Sequence, residues 1–268
     1  AVRKLIITST EQRARQIAEA YGFYSDTDAV YFPAKDLLFY QSDIRGNALT
    51  KERMAAYEAL LTSDHGVIVT TFDALLGKIT APRIMRDAVL RLEEGGIAEL
   101  AAVRIRLTQM GYESCYQVEQ PGQFAVRGGI LDIFPLTAEQ PVRIEFWDDE
   151  LDTIRNFQVD TQRSYEERLP RVTVFPAGEV ILPDRIRKAG TEAIRRDGEQ
   201  GVRRLREERK TEEAFHLKEL TELTVTQLQD LDNPDRAESM LPYFEDAGFE
   251  TAGLLDFFAD GDSRIFVD

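Results

Sequence analysis

Two short stretches combine guanidinium charge with aromatic surface. In QFAVRGGILDIFP (Gln123–Pro135), Arg127 stands among strand-forming residues and beside a Gly-Gly pair. In VRIEFWDDE (Val142–Glu150), Arg143 and the chain's single tryptophan, Trp147, interrupt an apolar run. A guanidinium presents donors in a rigid fork that fits carboxylates. Trp and Arg are also the side chains most enriched among interface hot spots. The chemistry these residues suit is docking onto an acidic, partly apolar surface. The plainer alternative pairs Arg143 with Glu145 or an acid on a neighbouring strand, and leaves Trp147 to cover a sheet edge, since a lone exposed aromatic is ordinary.

Other chemistries find little support. The phosphate-binding pattern G-x-x-x-x-G-K-[ST] needs glycine amides around the phosphates and a hydroxyl on Mg²⁺. LLGKIT offers Gly77-Lys78, but Ile79 replaces the hydroxyl and Phe72 the first glycine. His65 and His216 are the two histidines and Cys115 the single cysteine, too sparse for a zinc site. Carboxylates are so numerous that a pair such as Asp132 and Glu145 singles out nothing. No catalytic residue, metal ligand or cofactor-binding residue is expected in this chain. The run RRDGEQGVRRLREERK (Arg195–Lys210) mixes acids with its bases and reads as a solvated helical face. A net charge of −15 and a pI near 4.7 disfavour a polyanionic partner.

The elements that must position these residues follow from periodicity. KLIITS (Lys4–Ser9) and AVYFPA (Ala29–Ala34) read as short strands. Between them lies a helix capped by Thr10 and stopped at Gly22, with Ala14, Ile17, Ala18 and Tyr21 inward. A helix capped at Thr50 runs to Asp64 and buries Met54, Tyr57, Leu60 and Leu61. GVIVTTFDALLG (Gly66–Gly77) is an apolar strand entering a short helix. Continuous apolar strands separated by helices indicate a parallel sheet covered on both faces. From Arg83 to Ser114 the pattern predicts one or two helices broken at Gly95-Gly96. Strands are expected at 115–119, 123–127, 130–134, 142–147, 151–159 and 172–175, with separators rich in Gly, Pro and Asp. A helical, charged segment follows from Arg185 to about Leu231, and Arg264–Val267 forms a short strand that could rejoin the first sheet. The fold class is α/β, a helicase-like parallel-sheet domain interrupted by a β-rich α+β insertion. Its parts are 1–85 and 177–268 for the α/β portion and 86–176 for the β-rich portion.

Strand alternation separates the faces. Val142, Ile144 and Phe146 point to the core, so Arg143, Glu145 and Trp147 point away. Phe124 and Val126 point inward, so Gln123, Ala125 and Arg127 point outward. On this reading Arg143→Ala leaves the thermal midpoint nearly unchanged. No run of eighteen apolar residues occurs and the chain opens without a signal-peptide pattern, which with a lone cysteine predicts a cytoplasmic location and no membrane partner.

GQFAVRGGILDIFP, VRIEFWDDELDTIRNFQVDTQRS and VFPAGEVIL are similar to the UvrB-homology module of bacterial transcription-repair coupling factors. PAKDLLFYQSDIRGNALTKERMAAYEALL and VIVTTFDALLG resemble the same family's first domain. The nearest competitor, a UvrB-type helicase subunit that binds DNA and ATP, carries a phosphate loop and a long aromatic hairpin that this sequence lacks. The resemblance implies a non-catalytic recruitment module that binds UvrA by mimicking UvrB and links stalled RNA polymerase to nucleotide excision repair. It places the family's docking arginines on Arg127 and Arg143 and an aromatic on Trp147. It also implies that RNA polymerase, DNA and ATP with Mg²⁺ are engaged by other domains of a longer parent protein, an ATP-dependent translocase.

Overall fold

The computed structural model describes residues 2–25, 28–35, 43–63, 66–230, 234–259 and 262–268. Residues 36–42 of the first-domain motif, His65, and the expected helix ends at Asp64 and Leu231 lie outside them. In chain order come β1 (Arg3–Thr8), α1 (Glu11–Tyr24), β2 (Ala29–Phe32), α2 (Asp43–Thr62) and β3 (Val67–Thr71). A 3₁₀ turn at Asp73–Leu76 leads to β4 (Ile79–Thr80), α3 (Pro82–Ala88), β5 (Leu90–Glu93) and α4 (Leu100–Gln109). Then come β6 (Glu113–Ser114), β7 (Gln123–Arg127), β8 (Ile130–Ile133), β9 (Val142–Trp147), β10 (Glu150–Phe157), β11 (Ser164–Arg168) and β12 (Arg171–Val174). Helices α5 (Asp184–Glu207), α6 (Thr211–Asp230), α7 (Pro234–Ser239) and α8 (Leu241–Asp246) follow, before β13 (Thr251–Ala252) and β14 (Ser263–Val267).

The chain divides into two compact units, one running to Glu179 and resuming at Ala252–Asp268, the other spanning Val180–Thr251. In the first, a parallel sheet has the order β14-β1-β3-β2. Strand β3, VIVTT, is buried at every residue, as expected of a central strand covered on both faces. Strand β14 returns beside β1 in parallel, from Arg3 opposite Ser263 to Ile7 opposite Val267. The chain between β3 and β14 is therefore an insertion into a helicase-like α/β domain. Thr10 caps α1, its hydroxyl accepting from the Arg13 amide at 3.3 Å. Gly22 does not stop that helix, which continues to Tyr24; an interior glycine costs only about 1 kcal/mol relative to alanine. Thr50 lies inside α2, which begins at Asp43, and is not its cap.

The insertion carries a six-stranded sheet of order β11-β10-β9-β8-β7-β6, antiparallel except for the short β6–β7 pair. Two expectations are corrected, and one strand was not expected. Leu90–Glu93 is a strand and not part of a helix; Leu90 and Leu92 are buried while Arg91 and Glu93 are exposed, a period of two that pairing with β12 selects. Residues 115–119 form a loop, with the Glu119 and Gln120 amides donating to the Gln123 side chain at 3.0 and 3.2 Å. Strand β11, SYEER, is polar and largely exposed, so no apolar alternation announced it. Closing the insertion, Glu179 is buried between Arg53 and Lys35, and Arg53 also donates to the Pro33 carbonyl and lies 4.0 Å from the Phe32 ring.

The second unit is helical. Its core gathers Leu182, Ile186, Ile194, Val225, Leu228, Leu241, Phe244 and Phe249. Ion pairs Arg195–Glu192 and Lys210–Glu208 lie on its exposed surface, as a solvated basic run requires. Among the described residues no helix is long and apolar enough to cross a membrane.

Candidate partner-docking site

Two tight hairpins aim the site. Arg127 pairs with Ile130 across the two-residue loop Gly128-Gly129, where Gly128 has φ +61°, a conformation that favours glycine. Gly129 has a different role. Its carbonyl accepts from the Phe146 amide at 2.7 Å, and a Cβ there would sit 2.9 Å from the Phe146 carbonyl oxygen. The Gly-Gly pair thus makes both the turn and a close approach to β9. The second hairpin joins Trp147 to Glu150, with Asp148 at φ 58°. Asp tolerates that region better than most residues.

Cross-strand partners share a face of a sheet. Val126, Leu131, Ile144 and Ile154 form one row on the buried side. On the other side runs Ala125, Asp132, Arg143, Arg155, and beside it Arg127, Ile130, Glu145, Thr153. Alternation therefore holds for Arg127, Arg143 and Trp147, which lie on one face. A bulge in β10 between Leu151 and Thr153 restores the register after the Trp147–Glu150 turn.

That face is not uniformly open. Val118, Ala125, Phe134 and Phe157 form a small second core on it, with Cys115 and Val159 packed against them. Burial pushes the Cys115 thiol up, in keeping with a cysteine that serves as a small hydrophobe. Arg143 is absorbed into this structure, its side chain only 13% exposed. It donates to both oxygens of Asp132, at 2.7 and 2.9 Å, and to the Gln162 carbonyl at 2.9 Å, and it lies 4.7 Å from the Phe157 ring. Hydrogen bonding to Asp132 raises the Arg143 pKa further, outweighing its desolvation. The expectation of a solvent-facing Arg143 is corrected: its guanidinium holds a carboxylate that is 1% exposed. The expected partner on a neighbouring strand exists, and it is Asp132 and not Glu145.

Arg127 shares Asp132 through one hydrogen bond of 2.5 Å, but its side chain is 35% exposed and keeps donors toward solvent. Trp147 is 80% exposed. The site is thus one open aromatic, one half-open guanidinium, and a buried Arg143–Asp132 pair that fixes the sheet beneath them. Asp132 is not singled out by the sequence because carboxylates are common in the chain; its signal is a lone acid inside the apolar run ILDIF. Gln162 and Phe157 carried none. His216 is exposed on α6, and the described residues contain no cluster of three or more His, Cys, Asp or Glu that could hold a metal.

Residues 90–179 match the UvrB interaction domain family. The chain is 29% identical over 181 residues to the transcription-repair-coupling factor of Haemophilus influenzae, covering 68% of this chain and 16% of that protein. It is 35% identical over 192 residues to the corresponding factor of Mycobacterium bovis, covering 68% and 15%. It is also 28% identical over 250 residues to the UvrABC system protein B of Fervidobacterium nodosum, covering 92% and 37%. The sheet that carries Arg127, Arg143 and Trp147 is a UvrB-type interaction domain set into a helicase-like α/β scaffold. Over about two thirds of its length the chain is similar to the transcription-repair coupling factors, its residues 90–179 matching the UvrB interaction domain, and it spans about a sixth of the length of those relatives.

Proposed function

We propose that this module recruits UvrA, presenting to it the surface that UvrB would present, and so links a stalled RNA polymerase to excision repair. The observation that carries the reading is Trp147, 80% exposed on the same sheet face as Arg127 and within the matched interaction domain. An exposed aromatic that shares a sheet face with a partly exposed guanidinium supplies the residue types most enriched among interface hot spots. Arg127 meets a carboxylate of the partner. Arg143 acts as a positioning residue through Asp132, and its contribution to binding passes through the geometry of the sheet. The module itself performs no catalysis and needs no cofactor; ATP with Mg²⁺, RNA polymerase and DNA belong to other parts of a longer parent protein.

Titration of the chain against UvrA tests this. Trp147→Ala should weaken binding by about thirtyfold, which corresponds to about 2 kcal/mol, while the thermal midpoint stays in place. Wild-type affinity in both Trp147→Ala and Arg127→Ala would overturn the reading. The long match to UvrABC system protein B favours a second reading, in which the chain binds ATP and DNA as a UvrB-type subunit. That reading requires a glycine-rich phosphate loop to hold the nucleotide. Saturable ATP binding by the chain would support that reading.

A further inference from the structure

We infer that Ile97 is a second apolar anchor of the docking face, an inference that rests on the UvrA-docking reading above. Ile97 forms an antiparallel bridge with Glu150, and Glu150 is itself opposite Trp147 in the β9–β10 hairpin. Bridge partners point to the same side, so Ile97, Glu150 and Trp147 make one row across three neighbouring backbones. Two strand spacings separate the outer pair by about 10 Å. Ile97 is 76% exposed, nearly as open as Trp147.

The backbone beneath Ile97 is fixed. The Gly95 amide donates to the Leu151 carbonyl at 2.7 Å, the Leu151 amide to the Gly96 carbonyl at 2.9 Å, and the Ala98 amide to the Asp149 carbonyl at 2.8 Å. Gly95 takes φ +76°, and a Cβ on Gly96 would come within 2.9 Å of the Glu93 carbonyl oxygen. The turn is therefore held in a shape that offers Ile97 outward. A β-branched side chain has little rotamer freedom to lose, and a surface already ordered binds at lower entropic cost. A single exposed isoleucine is ordinary. This one is clamped to the hairpin that carries the exposed tryptophan, with the exposed Glu150 between them. The partner surface that fits is an apolar cleft broad enough for both side chains, with a cationic or amide donor facing Glu150 and a carboxylate facing Arg127.

The experiment is a titration of purified UvrA with the full chain, comparing wild type, Ile97→Ser, Ile97→Thr, Ile97→Val and Trp147→Ala, each checked by thermal melting. Ile97→Ser and Ile97→Thr should bind about tenfold more weakly with unchanged melting, and Ile97→Val, which has the shape of threonine without its hydroxyl, should recover most of the loss. Wild-type affinity in Ile97→Thr alongside a weakened Trp147→Ala would overturn the inference and leave the docking reading standing. No saturable binding by the wild type would overturn both.

Discussion

Asp132 governs what the two arginines can do. A carboxylate that is 1% exposed needs its charge compensated, and Arg143 supplies two of its three charged hydrogen bonds. Breaking a buried pair by removing one partner costs about 3–5 kcal/mol, because the other charge stays buried. Arg143→Ala should therefore lower the denaturant midpoint substantially, whereas Arg127→Ala, which removes one bond from a half-open side chain, should lower it far less. Equal midpoints for the two variants would mean that Arg127 alone satisfies Asp132. Partner affinity measured for Arg143→Ala therefore mixes lost contacts with a disturbed sheet, and Arg127 and Trp147 are the cleaner probes. The shared face of Arg127, Arg143 and Trp147 was legible from period-two alternation. The burial of Arg143 was not, because Phe157 and Gln162 arrive from the far end of β10 and the turn beyond it, at separations that local pattern does not encode.

At the scale of elements, glycine chemistry and one buried ion network hold the insertion in shape. A methyl group on Gly129 would meet the Phe146 carbonyl oxygen at 2.9 Å, so Gly129→Ala should speed amide exchange at Phe146 and loosen the β8–β9 edge beneath Arg127. Unchanged protection at that amide would show that the backbone gives way without cost. Glu179 contributes to the acid limb of stability. Burial alone would raise its pKa, but the charges of Arg53 and Lys35 outweigh burial and bring it below the ordinary value. A depressed folded-state pKa stabilises the fold above the unfolded value, about 4.3 for glutamate, and that contribution is lost as pH falls through the folded value. Stability should thus decline below about pH 4. Glu179→Gln should be weaker at neutral pH and show a shallower acid limb; a limb as steep as wild type would assign the acid sensitivity to other carboxylates. The parallel strands β1, β2 and β3 were readable because continuous apolar runs mark buried strands. The return of Arg264–Val267 beside β1 was readable as a possibility. Strands β5 and β11 were not readable: one is too short to separate from helix by period, and the other is a polar edge.

The described residues form two compact units, and the sheet that carries Arg127 and Trp147 belongs to the first. Gly190 on α5 tests whether that division governs stability. A Cβ there would fall 2.3 Å from Cδ1 of Phe244, a fully buried ring of α8 within the same helical unit. Replacing an interior helical glycine by alanine ordinarily stabilises by about 0.4–1 kcal/mol, because alanine has less chain entropy to lose on folding. Overpacking a filled core instead costs about 1–3 kcal/mol. The sign of the Gly190→Ala effect therefore reports whether Phe244 can move aside, and the tight contact predicts a loss. Hydrogen exchange should quicken across α5 and α6, while amides in β7 to β10 keep their protection and affinity for UvrA is unchanged. If the β-sheet amides lose protection in step with the helices, the two units unfold as one.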